Sequence, residues 1–443
     1  MKWFAGAVLL LIVAVYFQLG LLAYAMYVLL GVLLVSRFLA RSWTEQVTAD
    51  RQCPVHEAEI GEKIRVTVTL RNEGLLPVPW LIAEDLLPRH TLKAPHPRLR
   101  ITDGNRLRAA FLRSRNKSRL TYTLQPQMRG YYQIGPVILE GGDLFGLYRR
   151  FRVATAPHFV LVYPRIVPLL GYDLASRRPI GEIRLSMRLY EDPTRIGGVR
   201  EYMRGDPLNR IHWRATARQG SLHSKVYEPS TVAGASILLD FNRKAYHARG
   251  EPFRSELGVT AAVSLANAIY QMGQQVGLAS NGCDSADRYR AEGWNPTLPD
   301  GTPMTYFSRE AAEEAAASQG TKRLEPLLVE TKRGPEQVQR IREMLARLEL
   351  ADGLPFADMV FEVLPRLPRD ATVVAILPEA TPETAIALGA LVRRGYAVTA
   401  ILLRMDDQDT TDFGRLMAEG VDVRNLPDEA AIVTLCQQQL VRW

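Results

Sequence analysis

The sequence predicts a multidomain chain: an apolar helical hairpin at the N-terminus, an all-β sandwich after it, and a doubly wound α/β domain towards the C-terminus. Three observations carry this. Residues 3–35 are almost free of polar side chains, residues 47–156 hold short alternating runs broken by Gly and Pro, and residues 235–443 alternate apolar runs with helical periodicity. A length of 443 residues also exceeds one ordinary hydrophobic core.

From Trp3 to Val35 the one clearly polar side chain is Gln18, close to Gly20. As a single helix this run would measure about 50 Å, against a hydrocarbon core of about 30 Å. Two helices of about 15–17 residues, breaking at Gln18–Gly20, fit better and make residues 1–36 a transmembrane hairpin. Lys2 precedes the first segment, and Arg37 and Arg41 follow the second, so the positive-inside rule places both ends and everything after Ser36 in the cytoplasm. One long tilted span is a competing reading. So is a signal peptide cut after Ala23-Tyr24-Ala25, but the apolar run continues from Met26 to Val35, which is wrong for a mature N-terminus. Cys53, Cys283 and Cys436 are odd in number and scattered, with neither disulfide nor metal spacing.

Residues 47–156 read as a sandwich similar to immunoglobulin-like domains. Ile64, Val66, Val68 and Leu70 alternate with Lys63, Arg65, Thr67 and Thr69, the period of a half-buried strand. Asn72-Glu73-Gly74 turns it, and further strands are expected at Leu107–Phe111, Arg119–Leu124, Tyr131–Leu139 and Phe151–Ala154. Asp143, in Gly141-Gly142-Asp143-Leu144-Phe145-Gly146-Leu147, reads as a turn residue rather than a metal ligand.

From residue 235 onwards the pattern is α/β. Strands are expected at Ser236–Leu239, Val276–Ala279, Thr372–Leu377, Ala397–Leu402 and Val421–Val423. Helices are expected at Leu257–Met272, Pro335–Leu350, Pro382–Arg393, Phe413–Ala418 and Asp428–Leu440. Residues 281–333 read as an irregular insertion.

Residues 157–234 join the two domains as a strand, a helix and a strand, and they hold the densest chemistry. Asp206-Pro207 has the character of an N-cap and first-turn proline, and Gly220 that of a helix stop. Arg210, Arg214 and Arg218 then fall on one helix face, although like charges at that spacing cost about 0.2–0.5 kcal/mol per pair. Leu208, Ile211 and Ala215 form the opposite, core-facing stripe. Either the arginine row joins the helix to the α/β domain, with Trp213 packed beside it as an anchor, or it is an exposed docking face for an acidic partner. The bridging geometry of the guanidinium favours the internal role.

The same run resembles the signature of the domain of unknown function 58 family: Arg200, Tyr202, Gly205-Asp206, Arg210-Ile211, Trp213, Ala217-Arg218, Leu222 and Lys225. The resemblance implies a membrane-anchored protein with a von Willebrand A-like domain. It also implies work beside a MoxR-type AAA+ ATPase and a transglutaminase-like membrane protein. In von Willebrand A domains an Asp-x-Ser-x-Ser loop binds a divalent cation through hard oxygen ligands. The corresponding positions here are Asp240, Asn242 and Lys244, where an ammonium replaces the third ligand, so the metal site is read as lost. Asp240 would then be a buried acid paired with a nearby base, such as one of the signature arginines.

Charge narrows the partners. Residues 89–228 hold 26 Lys and Arg against 10 Asp and Glu, while residues 229–443 hold 22 against 29. No nucleic-acid motif accompanies the basic stretch, so the anionic inner leaflet and the acidic C-terminal half are its expected counterparts, with no nucleic acid partner. No hydrolase, zinc-protease, P-loop or dinucleotide motif occurs, and no cofactor or metal is expected. The favoured function is a membrane-tethered, non-enzymatic scaffold or adaptor. The alternative is a membrane-associated hydrolase or transferase using Asp206, His212 and His223.

The hairpin topology is testable on intact cells. An impermeant thiol reagent should leave Cys283, or an engineered surface cysteine after Ser36, unlabelled until the cells are lysed. Efficient labelling before lysis would overturn it.

Overall fold

The chain is described from a computed structural model, which covers residues 2–87, 96–169, 191–203, 211–229, 234–286, 305–306, 325–368, 371–403 and 411–435. Helix α1 (Lys2–Tyr16) ends where Gln18 takes a positive φ of 57°, and α2 (Gly20–Glu45) follows. Among the described residues α2 is the one helix long and apolar enough to cross a membrane, and the apolar part of α1, Gly6–Tyr16, is shorter. The break falls where the sequence places it, but α2 does not stop near Val35 and runs on to Glu45. Its last turns carry Leu39 and Trp43 into a buried cluster with Val68, Leu70, Leu81, Leu120 and Leu139. Tertiary burial therefore extends the helix past its apolar run.

The chain divides into two units, residues 1–165 with 282–324 and 342–353, and residues 166–281 with 325–341 and 354–443. The first unit contains β1 (Val47–Gln52), β2 (Glu57–Glu59), β3 (Ile64–Asn72), β4 (Val78–Asp85), β5 (Leu99–Gly104), β6 (Leu107–Leu112), β7 (Lys117–Pro126), β8 (Gly130–Ile134), β9 (Val137–Gly142), β10 (Arg149–Val153) and β11 (His158–Tyr163). One sheet has the order β1-β3-β7-β5. A second runs β10-β9-β4-β6, and Thr305–Tyr306 adds to β10. A third is β2-β11-β8. The expected strand Tyr131–Leu139 is two strands in different sheets. Gly135-Pro136 separates them, because proline has no N–H for a ladder and Gly135 takes a φ of 86°.

Between the sheets Ile64, Tyr122, Leu124, Tyr132, Ile134 and Val162 form a second buried cluster. The Arg51–Asp85 ion pair is buried at its edge, and the Tyr122 hydroxyl donates to Asp85 at 2.7 Å. Burial, followed by the negative Asp85, holds the Tyr122 hydroxyl well above its ordinary titration range.

A set of polar contacts fastens α2 to the sandwich. The Asp143 carboxylate accepts from Ser36 Oγ at 2.8 Å, the Tyr148 N–H at 2.7 Å and the Phe145 N–H at 3.1 Å. The Trp80 indole N–H donates to the Asp143 carbonyl at 3.1 Å. One Arg152 nitrogen donates to the carbonyls of Thr44, Glu45 and Val47 at 3.2, 2.8 and 3.1 Å. It satisfies two carbonyls that the end of α2 leaves open, Thr44 and Glu45, and one at the start of β1. Asp143 thus organises a turn, as its flanking glycines suggest.

The second unit is built on β14 (Gly234–Leu239), β15 (Gln275–Ser280), β18 (Leu327–Lys332), β20 (Ala371–Leu377), β21 (Val398–Leu402) and β22 (Asp422–Asn425), numbered after β12 (Glu191–Glu201), β13 (His223–Pro229), β16 (Cys283–Asp284), β17 (Thr305–Tyr306) and β19 (Leu348–Glu349). The sheet order is β18-β15-β14-β20-β21-β22, parallel except for β18. After α3 (Trp213–Gln219) the helices are α4 (Phe253–Gln271), α5 (Pro335–Arg347), α6 (Phe356–Val363), α7 (Pro382–Arg393) and α8 (Thr411–Ala418). The core of this unit joins Leu238, Val373, Ala375 and Ala400 to Met359, Val360, Leu388 and Leu416.

Three differences from the sequence reading are informative. Leu327–Lys332, inside the expected irregular insertion, is the antiparallel edge strand, and α6 was not expected. The expected helix Asp428–Leu440 is one turn of 3₁₀ helix at Ala430–Ile432, and residues 436–443 lie outside the described residues.

Ser36 and the neighbouring amides hold the Asp143 carboxyl below its usual range, outweighing the opposite effect of burial. A lowered carboxyl stabilises the fold above its unfolded value of 3.8, and that contribution is lost as the pH falls through the folded value. Asp143→Asn should therefore cost about 1.5–3 kcal/mol at neutral pH, the worth of a hydrogen bond to a charged group. Thermal melts of the purified chain should show the deficit narrowing in acid.

Candidate functional site

Two places in the second unit concentrate polar chemistry. The first is the signature region. Strands β12 and β13 form an antiparallel pair, with Val199 opposite Lys225, Arg200 opposite Ser224 and Glu201 opposite His223. Ile211 bridges Ser224, and the His212 N–H donates to the His223 carbonyl at 2.8 Å. This pairing holds residues 211–212 extended, so the helix cannot run through them. It begins at Trp213, and the expected start at Asp206-Pro207 lies outside the described residues. Its N-cap is His212, whose Nδ1 accepts from the Ala215 N–H at 3.0 Å. Gly220 ends it in the left-handed region at φ 73°, as the sequence suggests.

The late start splits the arginine row. Arg214 and Arg218 lie on α3, whereas Gly205, Asp206, Leu208 and Arg210 lie outside the described residues. The expected internal joint is not what the structure has at the described positions. No residue of α3 is buried, Arg214 and Arg218 are exposed, and no hydrogen bond or ion pair joins either to another described residue. Trp213, expected as a packed anchor, is 69% exposed. The physical reason is the length of the helix. Seven residues starting at Trp213 make two turns against β13, too few to bury a stripe. Ile211, read as part of that stripe, is buried through its bridge to β13 instead. Leu222, Met203 and Val199 are further exposed large apolar side chains of the same hairpin. The Nδ1 of His223 lies 2.7 Å from the Ser221 carbonyl, so the Nδ1 atoms of His212 and His223 are both engaged by backbone groups.

The second place is the carboxyl edge of the sheet. The strand order reverses between β14 and β20, since β15 lies on one side and β21 and β22 on the other. In open α/β sheets ligands bind outside the carboxyl ends at such a switch point. Asp240 follows β14 there, and its N–H donates to the Ile376 carbonyl at 3.0 Å. Asp240 Oδ1 accepts from the Asn281 side-chain amide at 2.9 Å and from the Asn242 N–H at 3.1 Å. Asn242 Oδ1 accepts from the Lys244 N–H at 3.0 Å. Both asparagine amides also donate to the Leu354 carbonyl, at 3.0 Å from Asn281 and 3.2 Å from Asn242.

The sequence pairs Asp240 with a base, but its partners here are amides. The parallel pairing of β14 with β15, with Leu239 opposite Ser280, brings Asn281 next to it. Asn281 was not among the expected site residues; the Asn-Gly pair that closes an apolar strand was its sequence signal. Lys244 is exposed. A divalent cation needs several outward oxygen donors. The Asp240 and Asn242 oxygens named above point at N–H groups, and among the described residues no three His, Cys, Asp or Glu are grouped to hold a metal. Burial pushes Asp240 up to about 6, with the Asn281 and Asn242 hydrogen bonds opposing and Glu379 adding to it. Glu379 is itself raised, by burial and by Asp412, against the pull of Arg254 and His247.

The model of a family described as "Protein of unknown function DUF58" matches residues 198–292, a stretch that runs from β12 past Asn281. The Uncharacterized protein YeaD of Bacillus subtilis (strain 168) is 25% identical over 257 residues, 58% of this chain and 61% of that protein. The chain thus matches less than two thirds of that relative's length. Among solved structures, the CARDB domain of the PF1109 protein from Pyrococcus furiosus is 15% identical with a TM-score of 0.17, over 26% of this chain and 91% of that one. The beta-glucosidase from Listeria innocua, in complex with isofagomine, is 15% identical with a TM-score of 0.18, over 26% of this chain and 16% of that one.

Asp240 has a clear pH signature. Its folded value of about 6 exceeds the ordinary 3.8, so the folded state binds more protons between the two. Its contribution to stability therefore falls as the pH rises from about 4 to about 6, then levels off. Asp240→Asn keeps an acceptor oxygen for the same amides and cannot ionise. The variant should gain on the parent across that window, by about 2–3 kcal/mol in all. Melting temperatures measured at steps through the window give the result, and a pH-independent difference would contradict it.

Proposed function

We propose that the chain is a membrane-tethered, non-enzymatic scaffold whose α/β unit, read as a cytoplasmic von Willebrand A-like domain, docks a partner protein through the signature hairpin. The observation that carries this is the exposed Trp213 on a helix that also exposes Arg214 and Arg218. Leaving an indole in water forgoes a large apolar burial, and Trp and Arg are the residue types that dominate interface energetics. With Leu222 and Met203 also exposed, the hairpin has the mixed apolar and cationic character of a surface suited to an acidic partner with an apolar pocket. By family resemblance that partner is a MoxR-type AAA+ ATPase, with a transglutaminase-like membrane protein as a third member. The apolar N-terminal helices would form the two-pass membrane anchor.

The Asp240 loop is read as a metal-free relic of a cation site, stabilised by amides in place of an ion. The hydrolase or transferase reading gains nothing from the backbone engagement of the His212 and His223 rings.

Capture of the MoxR-type ATPase by the detergent-solubilised full chain tests the reading. Trp213→Ala should weaken capture by about 30-fold or more, the size of a binding hot spot. Arg214→Glu and Arg218→Glu should weaken it as well. All three variants should melt close to the parent, since exposed substitutions away from packed features usually stay within about 0.5 kcal/mol. Undiminished capture by every variant would reject the hairpin as the docking face, and a large drop in melting temperature would restore its internal role.

A further inference from the structure

We propose that the turn Leu144–Leu147 of the sandwich lies in the interfacial layer of the bilayer, as a second membrane contact beside α2. This rests on the reading of α2 as a membrane helix. In the turn Leu144 and Phe145 are each 62% exposed and Leu147 is 50% exposed. The turn itself does not call for these side chains. Asp143 supplies the hydrogen bonds that shape it, and Gly146 supplies the left-handed residue at φ 71°. Polar residues would serve the three remaining positions equally well in water. Four successive exposed positions holding two leucines and a phenylalanine are the composition of a lipid-facing surface.

Ser36 fixes where this surface sits. Its hydroxyl bonds the Asp143 carboxylate at 2.8 Å, which sets the turn at the level of α2 where the apolar run ends at Val35. Leu34, Val35 and Phe38 are exposed on that stretch of the helix. Arg37 and Arg41 follow it and are exposed, at the depth where cations meet anionic headgroups. An apolar turn tied to this level continues the lipid-facing surface of the helix sideways. The occupant is therefore the headgroup and upper acyl region. A second copy of the chain is the rival.

The test uses the full chain in nanodiscs of phosphatidylcholine and phosphatidylglycerol. Phe145, Val28 and Leu75 are replaced one at a time by the photocrosslinking residue p-benzoylphenylalanine, and the adducts are identified by mass. Val28 reports the membrane helix, and Leu75, an exposed apolar residue on the turn between β3 and β4, reports a surface left in water. The expected result is a phospholipid adduct at position 145 in several-fold higher yield than at position 75, together with one at position 28. Lipid adducts at position 28 without any at position 145 would overturn the turn's contact and leave the anchor standing. Failure at position 28 would overturn both. A crosslinked dimer at position 145 would give the surface to a second copy.

Discussion

The first unit depends on how the end of a helix is closed. A helix entering a β-sandwich ends with carbonyls that have no partners, and burying each of them unpaired costs about 1–3 kcal/mol. One guanidinium, from Arg152 on β10, meets two of these carbonyls, those of Thr44 and Glu45, together with the carbonyl of Val47 at the start of β1, and Asp143 ties the helix about two turns further back through Ser36. Burial lowers the affinity of that guanidinium for its proton, with Glu45 and Glu73 opposing the shift. The apolar helix is thus continuous with a rigid β-sheet and not hung from a flexible linker. Gly142 fits this joint because a side chain there would meet the Trp80 ring and the Tyr148 carbonyl.

The second unit solves a different problem. A parallel sheet with a reversal in strand order leaves a gap beyond β14 and β20, where buried polar groups must find partners. Asp240, Asn242 and Asn281 close that gap with one another and with the Leu354 carbonyl. Burial gives the acid a raised affinity for its proton, which the hydrogen bonds from Asn281 and Asn242 only partly oppose.

Much of this was legible in the sequence, for reasons that differ from element to element. The break at Gln18–Gly20, the alternation of β3 and helix α7 were written in local chemistry: a polar residue beside a glycine, a period of two, and a Thr-Pro start whose Thr381 hydroxyl accepts from the Thr384 N–H. The start of α3 was not legible. Asp206-Pro207 is a good local signal, but the pairing of Ile211 and His212 with β13, residues away in sequence, overrides it. The reach of α2 to Glu45 was hidden for the same reason, since only the sandwich core makes Trp43 a buried residue. At the candidate site Asp240 and Asn242 were visible as polar residues closing an apolar strand, whereas Asn281, signalled only by its Asn-Gly pair, and Leu354 join them through the fold.

The edge strand β18 has a consequence for how this protein can vary. Its Leu327 stands opposite Ser280, the last residue of β15, so the chain leaves the sheet and re-enters it across a single rung of a ladder. The two ends of the intervening segment are held about 5 Å apart whatever lies between them. Closing a loop between fixed ends grows costlier only slowly, by about 0.6 kcal/mol for each doubling of its length. As far as the sheet is concerned, the segment can lengthen or shorten without shifting the register of any strand. Residues 282–324 of this segment are counted with the first unit, so added length there leaves the ladders of the α/β sheet in place, and length differences between related chains should collect in it.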